Sequence, residues 1–80
     1  MRGLYFVVMD RAHVYGVHAV PGLKRIREGL FISQTTLSAD AGVNVANISR
    51  LENGSQQARL ATIRKLAKAL GCKPAALLEG

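Results

Sequence analysis

Apolar residues recur with helical spacing from residue 23 onward and predict a first helix over residues 23–30. Three apolar side chains lie there at i, i+3 and i+7, on one stripe of an amphipathic helix. The stripe consists of Leu23, Ile26 and Leu30. Phe31 and Ile32 follow, and we expect both side chains to fill the gap between this helix and the next.

Two short helices joined by a tight turn are predicted between Gln34 and Gly54. Ser33 can cap the first of them, because its hydroxyl can accept a backbone N–H of the first turn. Gly42 suits the left-handed residue that ends this helix, and Asn44 is a strong N-cap for the second. Helices this short are not stable alone in water, so they must pack on the rest of the domain.

A fourth helix is predicted over residues 60–70, where apolar residues form a clear stripe and Gly71 supplies the stop. A polar loop over residues 55–59 precedes it. Pro74 suits the first position of a short fifth helix that runs to residue 79. The pattern from residue 23 onward therefore predicts an all-α domain over residues 23–80.

The first 22 residues have a different pattern. Leu4 to Met9 and His13 to Val20 are runs of β-favouring residues separated by a short polar break. They predict a β-rich N-terminal arm over residues 1–22, which could form a hairpin. A lone two-stranded hairpin is marginally stable, so we expect it to pack on the helices or to pair with a second subunit. A leader without fixed structure is the alternative.

Composition limits the classes of function. The chain has 80 residues and a net charge of +6, so it is one small domain whose cations suit a polyanionic partner such as nucleic acid. Its single cysteine, Cys72, excludes an internal disulfide and a zinc cluster. His13 and His18 lack further ligands, so neither a metal nor a cofactor is predicted. No catalytic set and no membrane span are found, which predicts a non-enzyme in the cytoplasm, associated with the nucleoid.

The segment around the predicted turn resembles the helix-turn-helix of phage-repressor-like, xenobiotic-response-element type DNA-binding domains. The matching residues are Ser33, Gln34, Leu37, Gly42, Val43, Ile48, Ser49, Leu51, Glu52 and Gly54. The resemblance extends over residues 23–78 and implies a compact five-helix, repressor-type domain. It also implies that the helix over residues 44–53 enters the major groove of double-stranded DNA.

This resemblance divides the candidate DNA-binding residues into two groups. Contacts to the DNA backbone are expected from Gln34, Asn44, Asn53 and Ser55. Bracing of the reading helix is the alternative for Gln34. Contacts to base edges are expected from Val45, Ala46, Ser49 and Arg50, with Asn47 at the edge of that face. Arginine can pair bidentately with guanine, while valine and alanine can pack on a thymine methyl group. Ordinary exposed helix positions are the alternative for each.

A structural ion pair between Arg27 and Glu52 is also implied, because the resembling repressors form a partly buried pair at these positions. A carboxylate that faced DNA phosphates would repel them unless it turned inward and was neutralised. Two solvated charges, worth almost nothing, are the alternative. The chain departs from the family at Phe31, where the relatives usually have a glycine that ends the first helix.

These features predict a sequence-specific transcriptional regulator, most often a repressor in this family, that binds a palindromic operator as a homodimer. The dimer surface would be the C-terminal helix region, the N-terminal arm, or both. One alternative is the antitoxin of a toxin–antitoxin pair, with residues 1–20 binding the toxin. Another is the controller protein of a restriction–modification system.

Overall fold

The computed structural model describes residues 16–80, which form five helices and two short strands. In chain order they are β1 (Val17–His18), α1 (Leu23–Gly29), α2 (Gln34–Ala41), α3 (Val45–Asn53), β2 (Ala58–Arg59), α4 (Leu60–Leu70) and α5 (Pro74–Leu78). The predicted fold class, a five-helix domain with β structure near its N-terminus, is confirmed.

One apolar core holds the five helices together. Its fully buried large side chains are Val20, Leu23, Leu37, Ile48, Ile63, Leu66 and Leu77. Each helix contributes at least one of them, and α4 packs against both α2 and α5. Full burial of one such side chain is worth about 1.5–3 kcal/mol. Packing of this kind stabilises helices that are too short to persist alone.

Local signals set the ends of α2 and α3. The Ser33 hydroxyl accepts a backbone N–H of α2 at 3.0 Å, and Asn44 Oδ1 accepts a backbone N–H of α3 at 2.8 Å. Gly42 and Gly54 follow the two helices with φ angles of 68° and 81°. These angles lie in the left-handed region, which glycine adopts without steric cost. The predicted pair of capped helices joined by a tight turn is therefore confirmed.

Residues 16–22, the described part of the N-terminal segment, pack on the helical domain. In an antiparallel two-stranded sheet Val17 lies opposite Arg59 and His18 opposite Ala58. Residues 55–59, predicted as a polar loop, thus contain a strand with the apolar Ala58 buried. The predicted strand over residues 4–9, the polar break after it and residues 13–15 of the second run lie outside the described residues.

Gly22 packs against the C-terminal helix, where a side chain has no room. Gly22→Ala is therefore expected to lower the free energy of unfolding by about 2 kcal/mol, a typical cost of overpacking. The Gly22 N–H donates to the carbonyl of Leu77 at 3.0 Å, while an added Cβ would lie 2.6 Å from the carbonyl oxygen of Ala76. Gly29→Ala is the matched control, because a Cβ there meets no atom within 4 Å. The free energy of unfolding of this control should rise by about 0.5–1 kcal/mol, because alanine favours the helix more than glycine does. Equal urea midpoints for the two variants would contradict this packing.

At Phe31 the prediction from sequence was wrong. Its side chain is 96% exposed and does not fill the gap between α1 and α2. Its φ angle is 58°, the left-handed conformation that a glycine would adopt at this helix exit. Ile32 alone packs against the core. The backbone requirement of the turn therefore prevails over the apolar character of the phenylalanine.

Phe31→Gly is accordingly expected to raise the free energy of unfolding by about 1 kcal/mol, because it removes left-handed strain. Phe31→Ala is the matched control: it removes the exposed ring but keeps a Cβ in the strained conformation, so it should bring no such gain. Thermal unfolding of the three proteins distinguishes these effects. If both variants gained the same free energy of unfolding, the destabilisation in the wild type would come from the exposed ring and not from the left-handed backbone.

Candidate nucleic-acid interface

The helix α3 turns one face to the core and the opposite face to solvent. Ile48 and Leu51 anchor the inner face, with 0% and 2% of their surface exposed. Ala46 and Arg50 lie on the far side, about half a turn away from that buried pair at 3.6 residues per turn. Both are exposed. The helix thus has a free surface, which a partner can approach without displacing the core.

All nine side chains assigned to DNA contact from the sequence are at least partly accessible. Exposed are Asn44, Val45, Ala46, Arg50, Asn53 and Ser55; partly exposed are Gln34, Asn47 and Ser49. We call the outward surface formed by Val45, Ala46, Ser49 and Arg50 the α3 face. It combines two small apolar side chains, a hydroxyl and a guanidinium, groups that can meet the methyl and acceptor edges of bases.

Arg50 is oriented by a neighbour on its own helix. Its Nη1 donates to Asn47 Oδ1 at 3.3 Å, across one helical turn. A guanidinium carries five N–H donors, so this single bond leaves most of them for a ligand. Asn47, predicted to lie at the edge of the α3 face, thus contacts Arg50 on the flank of that face.

A buried network lies behind the α3 face. Arg27 Nε donates to Glu52 Oε2 at 2.6 Å, and its Nη2 donates to Glu52 Oε1 at 2.9 Å, a bidentate pair. Only 10% of the arginine side chain and 4% of the glutamate side chain are exposed. Gln34 Nε2 donates to Glu52 Oε1 at 2.9 Å, and Arg27 Nη1 also donates to the carbonyl of Ile32 at 2.8 Å. This network connects α1, α2 and α3.

The pKa values of Arg27 and Glu52 both shift in the direction that favours the charged form. Burial by itself would raise the pKa of the Glu52 carboxyl. Hydrogen bonds from Arg27 and Gln34, with the charges of Arg27 and Lys24, nevertheless bring that pKa below its ordinary value. The hydrogen bond to Glu52 is the main reason that the pKa of Arg27 is raised, despite its burial. The pair is therefore ionised at neutral pH, and Glu52 is satisfied from within the protein.

Hydrogen bonds of Ser55 hold the loop after α3. The Ser55 N–H donates to Asn53 Oδ1 at 2.9 Å, and the Ser55 hydroxyl donates to the carbonyl of Arg50 at 3.4 Å. Together with the left-handed Gly54, these bonds turn the chain sharply away from the end of the helix. Asn53 and Ser55 remain exposed in this turn, where a phosphate can approach them.

A cavity of about 370 Å³ lies beside α3, where α1, the start of α2 and the end of α3 meet. Its lining includes Lys24 together with Gln34, Ser49 and Asn53, three of the residues assigned to DNA contact. Lys24 was missed in the sequence analysis. Its spacing of three residues from Arg27 was the available signal, because i and i+3 share a helix face.

Other kinds of site find little support within residues 16–80. No group of three or more histidine, cysteine or acidic residues in that range could hold a metal ion. None of the helices formed by that range is long and apolar enough to cross a membrane. Burial raises the pKa of the Cys72 thiol, which disfavours the reactive thiolate.

Two capped helices, a tight turn and an outward-facing second helix define a helix-turn-helix protein. Residues 23–77 match the sequence model of the helix-turn-helix family, which is more than half of the chain. The chain therefore belongs to this family, in its phage-repressor-like, xenobiotic-response-element branch.

Two relatives carry the comparison further. The chain is 45% identical over 49 residues to the uncharacterized HTH-type transcriptional regulator YozG of Bacillus subtilis (strain 168), a match that covers 60% of this chain and 58% of that protein. The chain thus spans less than two thirds of this relative. The crystal structure of the restriction–modification controller protein C.AhdI from Aeromonas hydrophila superposes with a TM-score of 0.67 and 33% identity, over 69% of this chain and 83% of that one.

Proposed function

We propose that this protein is a sequence-specific regulator of transcription that binds double-stranded DNA with α3 in the major groove. The observation that carries the proposal is the α3 face, an outward helix surface anchored from behind by Ile48 and Leu51. An α-helix fits the major groove, where each base pair presents a distinct pattern of donors, acceptors and methyl groups. The family and the relative described as a transcriptional regulator support the same function.

The charges of the domain favour a polyanionic partner. The net charge is +6, and Glu52, the one carboxylate carried by α3, is turned inward onto Arg27. The exposed part of this helix therefore offers a cation, Arg50, without an opposing acidic group. In this proposal Gln34, Asn44, Asn53 and Ser55 position the DNA backbone, while the α3 face contacts the base edges.

One helix contacts only a few base pairs, so we propose a homodimer on a palindromic operator with half-sites about 34 Å apart. Repression follows when such an operator overlaps a promoter. A controller function in a restriction–modification system is the second candidate, favoured by the similarity to C.AhdI. An operator found beside restriction and methylation genes would support the controller over a general repressor.

Selection of bound sequences from a random duplex pool tests the proposal directly. We expect enrichment of a two-fold symmetric sequence. Its affinity should fall steeply with salt, because bound phosphates release their counterions. Fluorescence anisotropy at several salt concentrations measures this slope. The proposal is wrong if no sequence is enriched and the salt response is flat.

A further inference from the structure

A second cavity, of about 350 Å³, lies beside α3. It is bounded by the turn between α2 and α3, the first turn of α3, the loop after that helix, the strands β1 and β2, and the first turns of α4. Its polar lining includes Asn47, Gln56, Gln57, Arg59, Thr62 and Lys65. We call it the Arg59–Lys65 groove. Neither Arg59 nor Lys65 is among the residues assigned to DNA contact from the sequence.

The charge of this groove distinguishes it from the cavity that contains Lys24. Arg59 and Lys65 are the charged residues in its lining, and no acidic residue lines it. The Lys24 cavity is also lined by Glu28 and Glu52. Two cations without an acid, surrounded by amide and hydroxyl groups, form a site for an oxyanion, because every one of these side chains can donate a hydrogen bond.

The two cavities lie on different flanks of α3. Asn47 lines the Arg59–Lys65 groove, whereas Ser49 and Asn53 line the other cavity. The groove is also continuous with the α3 face, since Asn47 is the residue that accepts a hydrogen bond from Arg50. A helix in the major groove, which is about 12 Å wide, has a phosphate backbone on each side. Each flank of α3 must then face one strand.

One wall of the groove comes from a part of the chain outside the family match. Val17 of β1 lines it and lies opposite Arg59 in the two-stranded sheet, while the match begins at residue 23. The pairing of β1 with β2 fixes the backbone of Arg59 beside α4. The segment before α1 thus shapes this groove in addition to contributing Val20 to the core.

We propose that the Arg59–Lys65 groove binds the phosphate backbone of the DNA strand on the Asn47 side of α3. This inference rests on the proposed DNA-binding function and adds the residues that hold one of the two strands. Arg59 and Lys65 neutralise phosphates there, and the neighbouring side-chain amides donate to phosphate oxygens. Contacts of this kind raise affinity for every sequence equally, because phosphates carry no sequence information.

The test compares cations on α4 and next to it. Arg59→Gln and Lys65→Gln remove the groove cations, and Arg64→Gln and Lys68→Gln are matched controls, exposed on α4 and outside the groove lining. Each groove variant should flatten the slope of log affinity against log salt by about 1, on the selected operator and on random duplex alike. The controls should change the slope by less than half as much. Circular dichroism verifies that each variant is folded.

Val17→Glu provides a second test by placing a carboxylate on the groove wall. Ala19→Glu is its control, with the same change in net charge at an exposed position outside the lining. We expect Val17→Glu to weaken DNA binding severalfold more than Ala19→Glu does. If wild-type protein binds its operator and the groove variants behave like their controls, the groove assignment is overturned while the DNA-binding function stands. Absence of wild-type binding would overturn both.

Discussion

Glu52→Gln is expected to lower the free energy of unfolding by about 3 kcal/mol, the lower end of the cost of breaking a buried ion pair. The substitution preserves the shape of the side chain, but it leaves the Arg27 guanidinium buried beside a neutral amide. The total stability of a domain of this size is about 4–12 kcal/mol. A loss of this size is therefore readily measured by urea unfolding.

Glu28→Gln is the matched control. Its carboxylate also lies near Arg27, at 4.0 Å from Nη2, but 57% of its side chain is exposed. An exposed pair contributes at most about 1 kcal/mol, so this variant should be nearly as stable as the wild type. A double-mutant cycle with Arg27→Met isolates the coupling, because the double variant buries no unpaired charge. Additive losses in the cycle would show that the two side chains do not stabilise each other.

The same pair gives the stability a dependence on pH. The pKa of Glu52 is lowered in the folded protein from its ordinary value of 4.5, so the unfolded chain binds its proton more tightly. The stability that the carboxylate contributes is thus fully present above about pH 5 and is lost as the pH falls through the folded pKa. The difference in free energy of unfolding between the wild type and Glu52→Gln should therefore become smaller as the pH is lowered. A constant difference between about pH 7 and pH 3.5 would contradict this linkage.

The parts of the fold that are determined by neighbouring residues could be predicted from the sequence. Ser33, Asn44, Gly42 and Gly54 act within one turn of their own helix, so their types alone predict the caps and stops that the structure contains. The ionic contact between α1 and α3 spans 25 residues. It was predictable through the family resemblance, since residue pattern alone does not specify which distant charges meet.

The features that escaped prediction depend on contacts between distant segments or on backbone geometry. The partner of β1 is a two-residue strand that carries no β signal of its own. Phe31 is large and apolar, as core residues are. The turn after α1 nevertheless requires a left-handed backbone at this position, and Ile32 packs against the core instead. Lys65 comes to line one cavity with Asn47 only when the helices pack together. Helical spacing identified the stripe of α4 but not the elements that its polar side would face.

Arg50→Lys is expected to lower the sequence preference of the protein while retaining its general affinity for DNA. Lysine keeps the positive charge, so binding to random duplex should change little. It lacks the planar fork that pairs with both acceptors of guanine, a contact worth about 1–3 kcal/mol of discrimination. We therefore expect the ratio of operator to random affinity to fall about 5- to 150-fold, measured at one salt concentration.

Arg64→Lys is the matched control, because Arg64 is exposed on α4 and belongs neither to the α3 face nor to either cavity. It should leave the affinity ratio unchanged. Asn47→Ala removes the hydrogen bond that orients Arg50. It should reduce the ratio of operator to random affinity less than Arg50→Lys does, because the guanidinium itself remains. A loss of equal size on operator and random DNA for Arg50→Lys would limit Arg50 to phosphate contact. Base discrimination by α3 would then have to come from its small side chains.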